Sequence, residues 1–245
     1  MRVLILAAGF ASRLRPLTDT KPKCLLDIGG KTILERTLNH LHEKGFRQLG
    51  IVTGYRDSQI SGFIRTRFPQ FEVTFIHNAQ FQTTNNIYSL YLARDFARGH
   101  DLFLLDSDIL FDAGILDLMQ TCVHADCLAL RSAGTIGEEE MKVSTGPENR
   151  IKQISKEIPA DSAVGESIGI ERFSAGFVSR LYDILEQMIE MEGLSDQFYE
   201  KAFQRVIDQG LPLYAVDVGG LRCVEIDTVE DLAHAEAEVL QYIDG

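Results

Sequence analysis

Three short segments carry side chains whose types and spacing suit chemistry on an anion. The first reads Leu6-Ala7-Ala8-Gly9-Phe10-Ala11-Ser12-Arg13-Leu14 and runs on to Lys21-Pro22-Lys23. A loop of small residues straight after an apolar run lets backbone N–H groups come close to a phosphate or a base. Arg13 and Lys23 add positive charge at the carboxyl end of that run, where open α/β sheets bind ligands. The stretch is not a Walker A loop, because Gly-Lys-Ser/Thr is missing. It is not a dinucleotide Gly-x-Gly-x-x-Gly either, which would open a helix at once; Pro16 and Pro22 keep it irregular. Taken alone, such a loop is more often a structural turn.

The second segment is Asp106-Ser107-Asp108, at the end of the apolar run 102–105. Two carboxylates closing a buried strand are costly unless paired or bound to a metal. An oxygen-only ligand set suits Mg²⁺, which keeps several waters and bridges substrate phosphates. By itself, such a triplet is more often a solvated turn. The third segment, Val224-Glu225-Ile226-Asp227-Thr228, again sets carboxylates at a strand's end, with a plain helix N-cap at Asp227 as the competing reading.

These segments need elements to hold them. Apolar runs at 2–6, 48–53, 72–76, 101–105 and 127–130 read as strands, separated by amphipathic stretches at 32–44, 58–67, 86–96 and 113–121. Thr32-x-x-Glu35 is a capping box, and Gly45 stands where a helix C-cap belongs. This alternation predicts a mostly parallel sheet covered on both faces. In the second half, 141–145 and 151–155 flank the turn signal Gly146-Pro147-Glu148-Asn149. A strand at 167–171, helices at 174–191 and 198–209, and strands at 213–217 and 223–226 follow, with a last helix capped by Asp227 and running to about Tyr242. No repeat, low-complexity tract or linker interrupts this order.

Composition narrows the function classes. The chain has 245 residues, 24 Lys plus Arg against 36 Asp plus Glu, and a net charge of -12, which argues against nucleic acid or an anionic membrane as a partner. Cys24, Cys122, Cys127 and Cys223 form no Cys-x-x-Cys pair and no zinc spacing, as expected of reduced thiols in a cytoplasmic protein. Residues 1–12 imitate a short signal peptide, but Arg13, Arg15, Lys21 and Lys23 follow at once, and a buried first strand is the better reading. No run approaches the ~20 apolar residues of a membrane helix.

Together with Asn85-Asn86-Ile87-Tyr88-Ser89-Leu90-Tyr91, the three segments resemble the nucleotidylyltransferase superfamily, and within it the bacterial phosphocholine and aminoethylphosphonate cytidylyltransferases. The resemblance spans nearly the whole chain. It implies a Rossmann-like three-layer α/β/α fold with a mostly parallel central sheet and an inserted β-hairpin and helical part that binds the acceptor. The chain would then be a single domain, with residues 1–131 binding the nucleotide and 132–245 binding the acceptor. It further implies a Mg²⁺-dependent enzyme that transfers CMP from CTP to a small phosphorylated or phosphonate acceptor and releases pyrophosphate. A sugar-1-phosphate nucleotidylyltransferase using another NTP and a catalytically silent nucleotide-sensing subunit remain as alternatives.

By the same resemblance, Arg13 would hold the pyrophosphate and Lys23 the α-phosphate and incoming phosphate. Leu6, Ala7, Ala8, Gly9, Ala11, Ser12, Asn85 and Asp106 would line the nucleotide, and Asp108 and Asp227 would hold Mg²⁺. Ala11 departs from the family's usual glycine; if that position needs positive φ, alanine costs roughly 1 kcal/mol or more. The acceptor's head group is open: a quaternary ammonium favours aromatic walls and a primary amine favours carboxylates. The residues expected there are Glu171, Phe173 and Tyr199, with Phe177, Phe198, Tyr214, Glu166 and Asp196 as further candidates. His77 and His100 are expected to be structural or solvated.

Overall fold

A computed structural model describes residues 1–132 and 137–243. Thirteen strands lie among these residues: β1 (Arg2–Ala7), β2 (Asp27–Ile28), β3 (Lys31–Thr32), β4 (Gln48–Thr53), β5 (Glu72–His77), β6 (Leu102–Asp106), β7 (Ile109–Phe111), β8 (Cys127–Arg131), β9 (Lys142–Thr145), β10 (Ile151–Ser155), β11 (Gly165–Phe173), β12 (Tyr214–Asp217) and β13 (Cys223–Glu225). The helices are α1 (Ile33–Glu43), α2 (Asp57–Arg67), α3 (Asn86–Leu92), α4 (Arg94–Ala97), α5 (Gly114–Thr121), α6 (Ala175–Glu186), α7 (Glu200–Asp208), α8 (Val229–His234) and α9 (Leu240–Ile243).

The main sheet runs β10-β9-β11-β6-β1-β4-β5, with β8 and β12 branching from β11. Its centre, β6-β1-β4-β5, is parallel, as the alternating pattern predicts. The second half joins it through β11, which runs antiparallel to β6, β8 and β9. From Val3 to Ala7, strand β1 is apolar because it is buried on both faces. Leu4 and Leu6 point to a core completed by α3, α6 and α7, while Val3 and Ile5 point to one completed by α1, α2 and α5. A third apolar cluster joins Leu14, Leu26 and Ile28 to Val224, Ile226, Ala235 and Val239, so the last helical segment packs beneath the loop that follows β1.

Local signals account for many element ends. Thr32 accepts a hydrogen bond from the Glu35 N–H at 3.0 Å, capping α1, and Gly45 ends that helix at φ 86°. The expected helix 86–96 is broken at Ala93 into α3 and α4. Strand β7, the β2–β3 hairpin and their pairings were not expected; β7 pairs antiparallel with β13. The last helix is not capped by Asp227. Thr228 caps it, in a reciprocal box with Asp231, because the Asp227 carboxylate is committed elsewhere.

Candidate active site

The loop after β1 carries the short turn 12–14, and Lys23 opens a second one at 23–25. Ala11 enters the first turn at φ 45°, ψ 63°, in the left-handed region, so this loop does require positive φ where an alanine stands. The Ala11 carbonyl accepts bonds from the Thr18 hydroxyl (2.9 Å) and the Leu14 N–H (3.2 Å), which hold the loop in that shape.

Lys23, 9% exposed, donates to Asp108 Oδ2 at 2.7 Å and also to Asp227 Oδ1. Arg13 donates to the other oxygen of Asp227. What brings Asp108 and Asp227 together is the unexpected β7–β13 pairing: Glu225 faces Ile109, and the Ile226 N–H donates to the Asp108 carbonyl at 3.0 Å. Asp108, Glu225 and Asp227 each offer an oxygen within 4.8 Å of the others. Asp108 Oδ1 is buried with no hydrogen-bond partner. Three carboxylates, one with an orphaned oxygen, fit a hard divalent cation.

The electrostatics follow from burial. Burial opposes the charge on Lys23, but Asp108 and Asp227 outweigh it and raise its pKa. Burial likewise opposes ionisation of Asp227, yet Lys23 and Arg13 hold that carboxyl below its ordinary range. Glu225 is pushed up to about 8 by burial and by the Asp108 and Asp227 charges. Asp106 is raised by burial first, then by Asp108 and Glu200.

Two contiguous clefts open over these groups. One, of about 490 Å³, is lined by Leu6, Ala7, Ala8, Gly9, Ala11, Arg13, Lys23, Asn85, Asp106, Asp108 and Asp227. Most of the expected nucleotide residues and all four of Arg13, Lys23, Asp108 and Asp227 therefore lie on one surface. Ser12 does not: it is exposed and lines neither cleft. Asn85 caps α3 by accepting from the Asn86 N–H at 2.7 Å, and its own N–H donates to the Ser195 carbonyl at 2.9 Å.

The second cleft, of about 400 Å³, is lined mostly by residues of the chain's second half and shares Arg13, Asn86, Asp106, Glu139, Lys156, Phe198, Glu225 and Asp227 with the first. Phe173, expected at an acceptor wall, is instead fully buried, stacked on Phe177 at 4.7 Å and edge-on to Phe203 at 5.1 Å. At that point β11 is covered on both faces, so an aromatic side chain goes into the core. Glu171 and Tyr199 are also fully buried and stand behind the cleft; the Tyr199 hydroxyl donates to Asp106 Oδ2 at 2.9 Å. Tyr214 stacks on His124 and Phe177 is in the core, whereas Phe198 reaches the cleft.

Lys156, Glu200 and Asn86 also line these clefts, and Glu225 completes the carboxylate set. Lys156 follows β10 as Arg13 follows β1, a basic residue just past a strand's end, but surface lysines share that pattern. Glu225 stood in the third segment, where Asp227 drew the attention.

A sequence model of the family described as nucleotidyl transferase matches residues 2–241. The chain is 26% identical over 258 residues to the CTP:phosphoglutamine cytidylyltransferase of Campylobacter jejuni, covering 95% of this chain and 98% of that one. It is 26% identical to the 2-aminoethylphosphonate cytidylyltransferase of Lancefieldella rimae, covering 94% and 89%. The solved structure of the CTP:phosphocholine cytidylyltransferase of Streptococcus pneumoniae superposes with a TM-score of 0.78 at 23% identity, covering 96% and 97%.

Proposed function

The chain belongs to the nucleotidyl transferase family, and we propose that it transfers CMP from CTP to a small acceptor bearing a phosphate or phosphonate. The observation that carries this reading is the meeting of Arg13 and Lys23 with Asp108, Glu225 and Asp227 where two clefts join. The near full-length similarity to proteins named as cytidylyltransferases supports CTP as the donor.

In this reading an acceptor oxygen attacks the α-phosphorus of CTP. The new P–O bond forms as the bond to the bridging oxygen breaks, and pyrophosphate leaves with that electron pair. The acceptor is already an anion at neutral pH, so no general base is required. The chain's task is to bring two anions together and to neutralise the charge that builds up. The backbone of Ala7, Ala8 and Gly9 lies along the nucleoside, Arg13 takes the departing pyrophosphate, and Lys23 takes the α-phosphate. Lys156, which lines both clefts, faces the acceptor phosphate. Asp108, Glu225 and Asp227 hold Mg²⁺, which when bound supplies further neutralisation of the phosphate charge.

A matrix of pyrophosphate release tests the reading, with CTP, UTP, dTTP, GTP and ATP each offered phosphoethanolamine, phosphocholine, 2-aminoethylphosphonate and sugar-1-phosphates. The expected result is release that depends on Mg²⁺ and is fastest with CTP and an amino or choline acceptor. Release confined to a sugar-1-phosphate with another nucleotide would sink it.

A further inference from the structure

The second cleft carries more negative charge than a phosphate-binding site can use. Among the described residues, eight carboxylates and three cationic side chains line it. All three cations are already engaged within the cleft: Arg131 pairs with Glu166, Arg13 with Asp227, and Lys156 with Glu139 at 3.7 Å. Lys156 also lies 4.4 Å from the centre of the Phe198 ring. The surplus lies deeper. Glu200 is 6% exposed and lines the cleft, and its Oε2 has no hydrogen-bond partner; Oε2 of Glu140, which lines the same cleft, has none either. Burial pushes Glu200 up to about 7, outweighing the opposing effects of its own backbone N–H and of the Lys156 charge, neither of which hydrogen-bonds Oε2.

A buried carboxylate oxygen without a hydrogen-bond partner is costly unless a ligand completes it. A second phosphate would add to the charge, and a hydroxyl would leave it uncompensated. A cation removes it. A quaternary ammonium has no N–H and depends on aromatic faces, but Phe198 is the one aromatic residue lining this cleft among the described residues, and Lys156 already lies over its ring. A primary ammonium brings three N–H donors, which match carboxylate oxygens that lack partners.

We infer that the acceptor carries a primary ammonium group, held in the second cleft by Glu200 with Glu140. This rests on the transferase reading above and narrows its acceptor to an aminoalkyl phosphate or phosphonate.

The test uses the Mg²⁺-loaded protein with CTP and sets of acceptors matched in size at two-carbon and three-carbon spacing: aminoalkyl phosphate, its trimethylammonium counterpart and the plain alkyl phosphate. The amine should exceed both partners in kcat/KM by at least about tenfold, with the difference residing in KM. Glu200→Gln should erase that preference while moving the KM of the alkyl phosphate by less than about twofold. Glu140→Gln, with a melting curve for each variant, gives a second reading should the first variant fold poorly. Phosphocholine or the alkyl phosphate matching the amine would overturn the inference, as would Glu200→Gln slowing all acceptors alike. Equilibrium binding of the same compounds separates the two levels. Amine-selective binding without pyrophosphate release removes the transferase reading and keeps the head group, whereas unselective binding removes the head group.

Discussion

Lys23 has two tasks that one measurement would confuse. If it faces phosphate as proposed, its loss should slow the reaction by about 10²–10³, the scale of one transition-state charge partner. As the buried partner of Asp108 and Asp227, it also holds two carboxylates close to one another. Lys23→Met should therefore lower the rate and also raise the Asp227 pKa, which the folded chain holds below its ordinary range. A depressed carboxyl stabilises the fold above the unfolded pKa, and this is lost as pH falls through the folded value. The variant should accordingly be less stable than the parent at neutral pH, by a margin that shrinks as pH falls below about 4, followed by denaturant titration across that range. Asp108→Asn removes a carboxylate from the proposed ion site and should abolish most turnover while leaving the melting temperature within a few degrees. Near-normal Mg²⁺-dependent activity would rule out its metal role. Glu200 has the opposite sign: burial raises it from 4.5 to about 7. Its contribution is complete below the unfolded pKa and is lost as pH rises through about 7. Without ligands, urea unfolding should show stability falling by on the order of 2 kcal/mol between about pH 5 and about pH 8, with Glu200→Gln flattening the slope.

At the scale of elements, two backbone positions at the site are strained or crowded. Ala11 stands at φ 45°, and Ala11→Gly should stabilise the fold by about 0.5 kcal/mol, since relief of left-handed strain of about 1–2 kcal/mol exceeds the added freedom of the unfolded chain. Gly169, in the irregular part of β11, has φ 68°, and a Cβ there would meet Asp106 Oδ2 at 2.7 Å. Gly169→Ala should cost at least about 1–2 kcal/mol and disturb Asp106, read as a lower melting temperature together with reduced turnover. What the sequence made legible depended on the range of the interaction. Strand β4 matches its apolar run at both ends, and α1 its cap, because those signals are local. Strand β7 is three residues long, straight after Asp108, and makes sense only beside β13, more than a hundred residues away. Asp and Thr both cap helices, so local chemistry did not choose between Asp227 and Thr228; Lys23 and Arg13 made the choice from 204 and 214 positions away. Phe173 is placed at the acceptor by residue type alone, and an aromatic side chain suits a core as well as a binding wall; in β11 it goes to the core.

Across the whole molecule, a net charge of -12 coexists with a site for anions because the positive charge is local. Arg13, Lys23 and Lys156 come from separate parts of the chain and meet at one cleft. The same assembly joins distant segments of backbone: the Asn85 N–H reaches the Ser195 carbonyl, and Asn86 accepts from the Tyr199 N–H at 2.9 Å. The last helical segment packs beneath the loop that carries Arg13 and Lys23. This has a consequence for synthesis on the ribosome. A nascent chain halted before Glu225 has the loop and both its cations but only one of the three clustered carboxylates, and the apolar underside of that loop remains in water. The proposed site closes only after residues 225–243 have left the exit tunnel and packed, so the first 224 residues alone carry no complete constellation.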